Sequence, residues 1–346
     1  MLSTEDTLKL NVLIATSIAI RIDTYKLVVV GLNAQFKERV IDLNPTGDSD
    51  AYIKAVKKLL INQILGTIGG YPSYLKRWSR MGQVASSNLA SLLKLGEVEA
   101  VVAVSNATNL DKDVLKLAWW CATNTDNQAE IGRFLLTKDL CVNTEVGKDI
   151  AHYLLEFLPF TQDVEQLIDT TNLILQKDLI SKEEKAKLWK QGQRKTAILV
   201  GFIERMKNNL PSKVNIISLD FKHQDLQIVS SEQAQLLLET SIHILKKINQ
   251  ETILYRTLDA LGQYLSHPLM TCKESIDDII NQANVITHDV KDEKEKLFAR
   301  MLLAGVSERL VVSTISAYHL TGSAIRKKLS NVLEPIQNAL KLLTNQ

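Results

Sequence analysis

The sequence has few of the residues on which metal sites, disulfide scaffolds and redox centres depend. Its three cysteines, Cys121, Cys141 and Cys272, lie far apart and form no pair with metal-type spacing. An odd number of cysteines does not resemble the disulfide framework of a small secreted protein. We therefore expect a reducing compartment.

Neither an excess of charge nor a long apolar run is present. The chain has 41 basic and 39 acidic residues, so no overall field marks a nucleic-acid or membrane partner. The first residues, Met-Leu-Ser-Thr-Glu-Asp, are acidic where a secretory signal would be basic. The apolar stretch from Leu10 to Ile20 is interrupted by polar residues and is shorter than the ~20 residues of a membrane span. These features predict a cytoplasmic protein without membrane association.

Familiar catalytic motifs are missing too. The sequence contains no glycine-rich phosphate loop, nucleophile elbow, paired-cysteine redox motif or dinucleotide-binding glycine pattern. His152 and Glu156, like His288 and Asp292, have the spacing of one helix face, but a metal site needs three or four ligands. We predict no catalytic residue, no cofactor and no metal, and we favour a role other than catalysis.

A strand pattern is present near the N-terminus. Ile18, Ile20 and Ile22 alternate with less apolar residues, which is the period of a strand with one buried face. The runs 27–30 and 36–43 are further strand candidates. They predict a small antiparallel β-meander over residues 1–47. Because three strands are marginally stable alone, the meander should pack on the helices that follow.

The rest of the chain has helical periodicity, so the predicted fold class is mainly α. Residues 48–210 contain short helical segments that suggest a solenoid-like array of short helices. They are 50–65, 86–95, 97–105, 111–122, 127–136, 144–158, 163–175 and 181–206. The segment 211–231 has little periodicity and is the predicted linker.

Residues 232–346 are predicted to form a C-terminal helical bundle. Apolar residues from Ala234 to Leu245, from Leu254 to Leu265 and from Leu333 to Leu343 recur at steps of three and four. Pro335 lies inside the last of these stripes and predicts a kink or a new start of the helix. The acidic segment from Thr287 to Glu293 has the composition of a first helical turn.

The segment 69–83 is the strongest candidate binding site, because it concentrates aromatic and basic residues in a chain with 5% aromatics. Its candidate residues are Tyr71, Tyr74, Arg77, Trp78 and Arg80. We favour a helix whose apolar side, with Leu75 and Trp78, is core and whose arginines meet a carboxylate of the protein. The alternative is an anion pocket formed by guanidinium groups beside aromatic rings.

Two further features contain tryptophan. Trp119 and Trp120 are adjacent in a predicted helix, so one ring could enter the core while the other covers a partner, although burial of both is favoured. A basic run around Trp189, from Lys185 to Lys195, has the composition of a single-stranded RNA site. Glu183 and Glu184 dilute it, so a solvated helix face is favoured and the sequence disfavours nucleic acid.

Several stretches of the sequence resemble stretches of a known protein family. The stretches Trp78-Ser-Arg-Met-Gly-Gln83, Leu95-Gly-Glu-Val-Glu-Ala-Val-Val-Ala-Val104 and Ala118-Trp-Trp120 are similar to parts of DsrS, a protein associated with the dissimilatory sulfite reductase system of sulfur-oxidising bacteria. Ala19-Ile-Arg-Ile-Asp23 and Phe157-Leu-Pro-Phe160 are similar too, and the resemblance covers roughly residues 5–210. It implies a cytoplasmic accessory protein of sulfur oxidation and transfers no active-site residue.

Together these observations predict a non-catalytic accessory or scaffold protein that binds protein partners of the sulfur-oxidation system, with Trp119, Trp120 and the segment 71–80 as candidate contacts. Two alternatives remain. One is a protein that binds RNA or a small anion through residues 71–80. The other is a sulfur-transfer protein that uses a cysteine. We predict no essential thiol, because none of the three has a sequence neighbour that would clearly depress its pKa, and the prediction is weakest for Cys141, near an expected loop. The sequence does not predict an oligomeric state.

Overall fold

The computed structural model describes residues 2–45, 47–65, 86–211, 218–318 and 322–344. It confirms the predicted class, because a small antiparallel sheet near the N-terminus is followed by many helices. Contacts divide the chain into two compact units, Met1–Phe157 and Leu158–Gln346. The sequence predicted a division into four segments where its periodicity changes: 1–47, 48–210, 211–231 and 232–346. That division stays a prediction.

The first unit combines a sheet with short helices. Its elements are α1 (Thr4–Thr16), β1 (Ala19–Asp23), β2 (Val28–Leu32), β3 (Glu38–Asp42), α2 (Ser49–Leu65), α3 (Ser86–Leu92), α4 (Val98–Asn106), α5 (Lys112–Ala122), α6 (Gln128–Leu136), α7 (Asp139–Val142) and α8 (Glu145–Phe157).

The first helix corrects the prediction that residues 1–47 form only a β-meander. Ser3 caps α1, because its side chain accepts a hydrogen bond from the backbone N–H of Asp6 at 3.0 Å. Glu5 and Asp6 place negative charge at the positive end of the helix dipole. Leu10 and Leu13, three residues apart, point into the core. The capping residue and this spacing were the signals in the sequence.

The sheet has the order β1-β2-β3 with antiparallel pairing throughout. Ile20, Val29 and Ile41 share one face and belong to a core cluster with residues of α1 and α2. Gly31 allows a close approach of the end of α1, since a Cβ at this position would clash with Ser17 Oγ and lie 2.7 Å from Leu13 Cδ1. The meander is thus stabilised by packing against helices, as three strands require.

A buried carboxylate joins α1 to α2. Asp6 is 1% exposed, and the hydroxyl of Tyr52 donates to its Oδ2. The backbone N–H of Asn44 also points to this oxygen, at 3.5 Å, and the N–H of Ser3 donates to the Tyr52 hydroxyl at 3.3 Å. Because a buried carboxylate must be hydrogen-bonded to be tolerated, Tyr52 is a structural residue of the first unit.

We expect Tyr52→Phe to destabilise the protein by about 2–3 kcal/mol, because it strands a buried acidic group while retaining the ring. Tyr25→Phe is the matched control, since the ring of Tyr25 is 84% exposed and the change should have little effect. Urea unfolding of both variants measures the difference. Equal stability of the two variants would show that the Tyr52 hydroxyl has no such role.

The second unit is built from helices. They are a 3-10 turn (Leu158–Phe160), α9 (Val164–Ile174), α10 (Lys182–Gly192), α11 (Thr196–Arg205), a 3-10 helix (Gln224–Val229), α12 (Glu232–Lys246), α13 (Glu251–Tyr264), α14 (Ile276–Thr287), α15 (Lys294–Ala304), α16 (Arg309–Tyr318), α17 (Ser323–Lys328) and α18 (Ser330–Leu343).

Some helix boundaries in this unit differ from the prediction. The single helix expected over 181–206 is two helices, because Lys195 leaves helical geometry and the side chain of Leu199 folds back close to Gly192. The helix with Pro335 begins at Ser330 and continues through the proline. The segment 287–293 is not a first turn. Thr287 ends α14, and Glu293 adopts a left-handed φ of 56° while its carboxylate accepts the N–H groups of Lys222 and His223.

Arg256 links three helices of the second unit. Its guanidinium on α13 donates through Nε to Glu204 Oε1 on α11 at 2.7 Å and through Nη2 to Glu204 Oε2 at 2.6 Å. Nη1 donates to Asp169 on α9. Although burial opposes its charge, these two carboxylates raise the pKa of Arg256 above its ordinary value. The fork geometry of arginine is what allows one side chain to hold two acids.

We expect Arg256→Ala to cost about 1–3 kcal/mol, which is less than for a fully buried pair because the side chain is 25% exposed. Arg309→Ala removes an exposed arginine and should change stability by less than about 0.5 kcal/mol. Thermal or urea unfolding tests both. If the two losses were equal, the ion pairs of Arg256 would contribute nothing measurable.

Candidate functional site

The two sets of predicted binding residues have different outcomes. Tyr71, Tyr74, Arg77, Trp78 and Arg80 lie outside the described residues, and so do the expectations for Leu75 and the paired arginines. Trp119 and Trp120 are described and lie near the end of α5. Their binding role stays a prediction, but their surroundings are known.

Helix α5 presents its tryptophans in different directions. Asp111 caps it by accepting the N–H of Val114 at 2.7 Å, and Leu115, Ala118 and Ala122 form part of its buried side. Adjacent residues on a helix diverge by about 100°. Both indoles are half-buried, so the favoured expectation that both are buried between helices is wrong. The reason is that one of them lies on the sheet.

Trp119 packs within the helical part of the first unit. Its ring meets Tyr153 edge-to-face with centroids 5.5 Å apart, and Tyr153 stacks on Phe157 at 6.0 Å. Burial raises the pKa of Tyr153. These contacts hold α5 against α8 and give Trp119 a packing role.

Trp120 lies beside the sheet and is held there by Arg21 and Glu38. Its Nε1 donates to Glu38 Oε1 at 2.7 Å, and the Arg21 guanidinium carbon lies 4.5 Å from the ring centroid. Arg21 also forms an ion pair with Glu38 at 3.2 Å and donates to the Trp120 carbonyl at 3.2 Å. That carbonyl lies at the end of α5, where it also accepts the N–H of Thr123 at 3.3 Å. Arg21 therefore fixes the ring and the helix end together.

The hairpin loop between β2 and β3 positions a second aromatic ring. The N–H of Phe36 donates to Asn33 O at 2.9 Å, and the N–H of Asn33 donates to Lys37 O at 3.1 Å. Phe36 has a φ of 56°, the left-handed conformation that this type of loop normally gives to glycine. Its ring is 44% exposed and lies 3.8 Å from Lys116 Nζ. An exposed aromatic residue thus occupies a position that disfavours it.

These residues form one continuous surface, which we call the meander surface. It consists of Phe36, Glu38, Val40, Lys116 and Trp120. Lys116 and Trp120 are four apart on α5, and they contact Phe36 and Glu38, respectively. Val40 follows Glu38 on the same face of β3 and is 54% exposed. Aromatic and aliphatic groups edged by charges are typical of protein interfaces.

The cysteines differ in their chemistry. Cys121 and Cys141 are buried, and burial raises the pKa of each thiol to about 12. At neutral pH both are neutral thiols, whereas the thiolate is the form that attacks sulfur. Cys272 is exposed. The burial of Cys141 therefore argues against a role for it as a reactive residue.

At pH 8, we expect a thiol reagent such as Ellman's reagent to label Cys272 in the folded protein while Cys121 and Cys141 stay unmodified. Because their pKa values are about 12, the thiolate fraction rises with pH but stays small until strongly alkaline conditions. Peptide mapping by mass spectrometry identifies the labelled residue, and labelling in urea provides the control. Rapid labelling of Cys141 in the folded state would contradict this expectation.

The basic run around Trp189 and the two pairs of His and acidic residues were the other candidate sites. Trp189 packs edge-to-face on Phe202 at 5.0 Å, so it is not an open stacking platform among the lysines of α10. In the described part of the chain, no group of three or more His, Cys, Asp or Glu side chains could hold a metal ion.

Within the same residues, no helix has both the length and the apolar character needed to cross a bilayer.

No protein-family model, curated protein or solved structure matches this chain.

Sequence reasoning identified Trp120 but missed the residues around it. Arg21 and Glu38 are 17 positions apart and far from Trp120 in sequence, and only the sheet register brings them together. One local signal was available, because Phe36 stands where the hairpin loop favours glycine. That signal requires knowledge of the loop type, which the strand pattern alone did not supply.

Proposed function

We propose that this protein is a non-catalytic accessory or scaffold protein that binds a protein partner through the meander surface. The observation on which the proposal depends is Phe36. A bulky residue with a left-handed backbone is rare and costs stability, and this one also exposes much of its ring. The ring contacts Lys116 but lies outside the core, and a strained, exposed residue of this kind is best explained by a contact with another molecule.

The neighbouring residues support a protein as that molecule. Trp120 is half-buried and is held in place by Arg21 and Glu38, so little side-chain freedom would be lost on binding. Rigid aromatic residues beside exposed aliphatic ones are common anchors of protein interfaces. Glu38 and Lys116 give the surface both signs of charge, which does not favour a polyanion.

The biological context of the proposal comes from the resemblance to the DsrS family. It implies a partner from the cytoplasmic sulfur-oxidation system. The stretches Ala19–Asp23 and Ala118–Trp120, which are part of that resemblance, contain Arg21 and Trp120 of this site. The family context and the binding surface are separate claims and can be tested separately.

The cysteine-based alternative is limited by burial. Cys121 and Cys141 are neutral buried thiols, so a sulfur carrier would have to use Cys272. The anion or RNA alternative depends on Tyr71 to Arg80, so the meander surface gives no evidence for or against it.

We expect Phe36→Asn to reduce the recovery of partner proteins from an extract of sulfur-oxidising cells by at least about tenfold while leaving stability within about 1 kcal/mol. Asparagine tolerates the left-handed conformation, so the release of strain offsets the lost contact with Lys116. Affinity capture with quantitative mass spectrometry, paired with urea unfolding, measures both quantities.

Tyr25→Asn is the matched control, because Tyr25 is an exposed aromatic residue in the hairpin at the opposite end of the sheet. It should leave recovery unchanged. Equal recovery with the wild-type chain and with Phe36→Asn would reject the meander surface as the binding site. Recovery of RNA without a specific protein would favour the anion or RNA alternative.

A further inference from the structure

Strand β3 has an open outer edge. Leu43 N donates to Leu27 O at 2.8 Å and Asn33 N to Lys37 O at 3.1 Å, so these pairs are hydrogen-bonded. Hydrogen-bonded and non-hydrogen-bonded pairs alternate in antiparallel sheets. With the observed register, the N–H and C=O groups of Glu38, Val40 and Asp42 point away from β2. Among the described residues, none forms a hydrogen bond with these groups.

The other edge of the sheet is covered, which makes β3 distinctive. The N–H of Ile20 on β1 donates to Leu93 O at 2.9 Å, and the Cys121 thiol lies 3.8 Å from Ile20 O. At β3, in contrast, Glu38, Val40 and Asp42 are all exposed. An exposed strand edge is a template for another strand, and the two acids on this edge disfavour a like-charged strand while leaving the edge open to a basic one.

We propose that the edge of β3 binds an extended segment of a partner protein as a fourth strand, in which two basic residues flank an apolar one at alternate positions. This inference rests on the proposed function and specifies how the partner is held. The backbone groups of Glu38, Val40 and Asp42 supply the hydrogen bonds. The side chains on that face, acidic, apolar and acidic, supply the selectivity, because directly opposed residues of adjacent strands interact.

Charge argues against a second copy of this chain as the added strand. Antiparallel pairing of two β3 strands about Val40 would place Glu38 opposite Asp42, and parallel pairing in register would place each acid opposite itself. Like charges that are directly opposed destabilise a sheet. A basic strand instead meets Glu38, of which only Oε1 is used by Arg21 and Trp120 among the described residues.

The test uses a fluorescent peptide of about seven residues, Thr-Lys-Thr-Val-Thr-Lys-Thr, and the full-length protein. By fluorescence anisotropy we expect a Kd below about 1 mM and at least about tenfold weaker binding when both lysines are replaced by glutamate. Absence of binding up to about 1 mM, or equal binding of the two peptides, would overturn the proposal.

Backbone pairing is tested independently of side chains with N-methylated peptides. Only alternate amides of an added strand face β3. Methylation of one alternate set should therefore abolish binding, and methylation of the other set should leave it unchanged. Equal effects of the two sets would overturn strand addition.

A variant completes the test on the protein side. Val40→Pro removes an outward N–H that β2 does not use, and proline is tolerated at such edge positions. It should weaken peptide binding at least about tenfold, and more than Val40→Thr, which changes the side chain but keeps the donor. If Val40→Pro does not fold, the N-methylated peptides alone test strand addition. A dimer that sedimentation detects in the wild-type chain and not in Val40→Pro would overturn the basic strand in favour of a second copy.

The same variant separates this inference from the proposed function. Loss of partner recovery in Phe36→Asn with unchanged recovery in Val40→Pro would retain the meander surface and reject strand addition. Unchanged recovery in both variants would reject both claims.

Discussion

The guanidinium of Arg21 holds the meander to the end of α5 through three contacts. It contacts the Trp120 ring, the Trp120 carbonyl and the Glu38 carboxylate, and thereby joins β1, β3 and the end of α5. The side chain is 16% exposed, so its ion pair and cation–π contact are partly shielded from water. Without this group, Trp120 would keep its hydrogen bond to Glu38 but lose the cation–π contact, and Glu38 would lose its ion pair.

The surface built on Arg21 is not the arrangement that stability alone would favour. Glycine would suit the φ of 56° at Phe36, and a charged residue would protect the edge at Val40 better than an aliphatic one. Phe36 contacts Lys116 of α5, and Val40 shares the sheet face of Glu38, which contacts Trp120 of the same helix. Residues that reduce local stability are expected where a surface serves function, and Phe36 and Val40 therefore support a binding role for this surface.

The elements that the sequence predicted well are those whose signal is local. Helices such as α2 and α5 were found within one or two residues because apolar spacing and capping residues define them, and the three strands were found from alternation and turns. The first helix was missed because the alternation from Ile18 onward dominated the interpretation of residues 1–47. The candidate site was only partly predictable, since Arg21 meets Glu38 through sheet register and Phe36 meets Lys116 through helix packing. Both depend on contacts distant in sequence.

The most direct test of the central claim is hydrogen–deuterium exchange of the full-length protein with and without a partner recovered from a sulfur-oxidising extract. If the meander surface is the binding site, exchange should slow in peptides from residues 33–42 and 112–122 when the partner is bound. Amides of Glu38, Val40 and Asp42 should account for much of the change, because their N–H groups point outward. Protection confined to the second unit, with unchanged exchange in these peptides, would contradict the account.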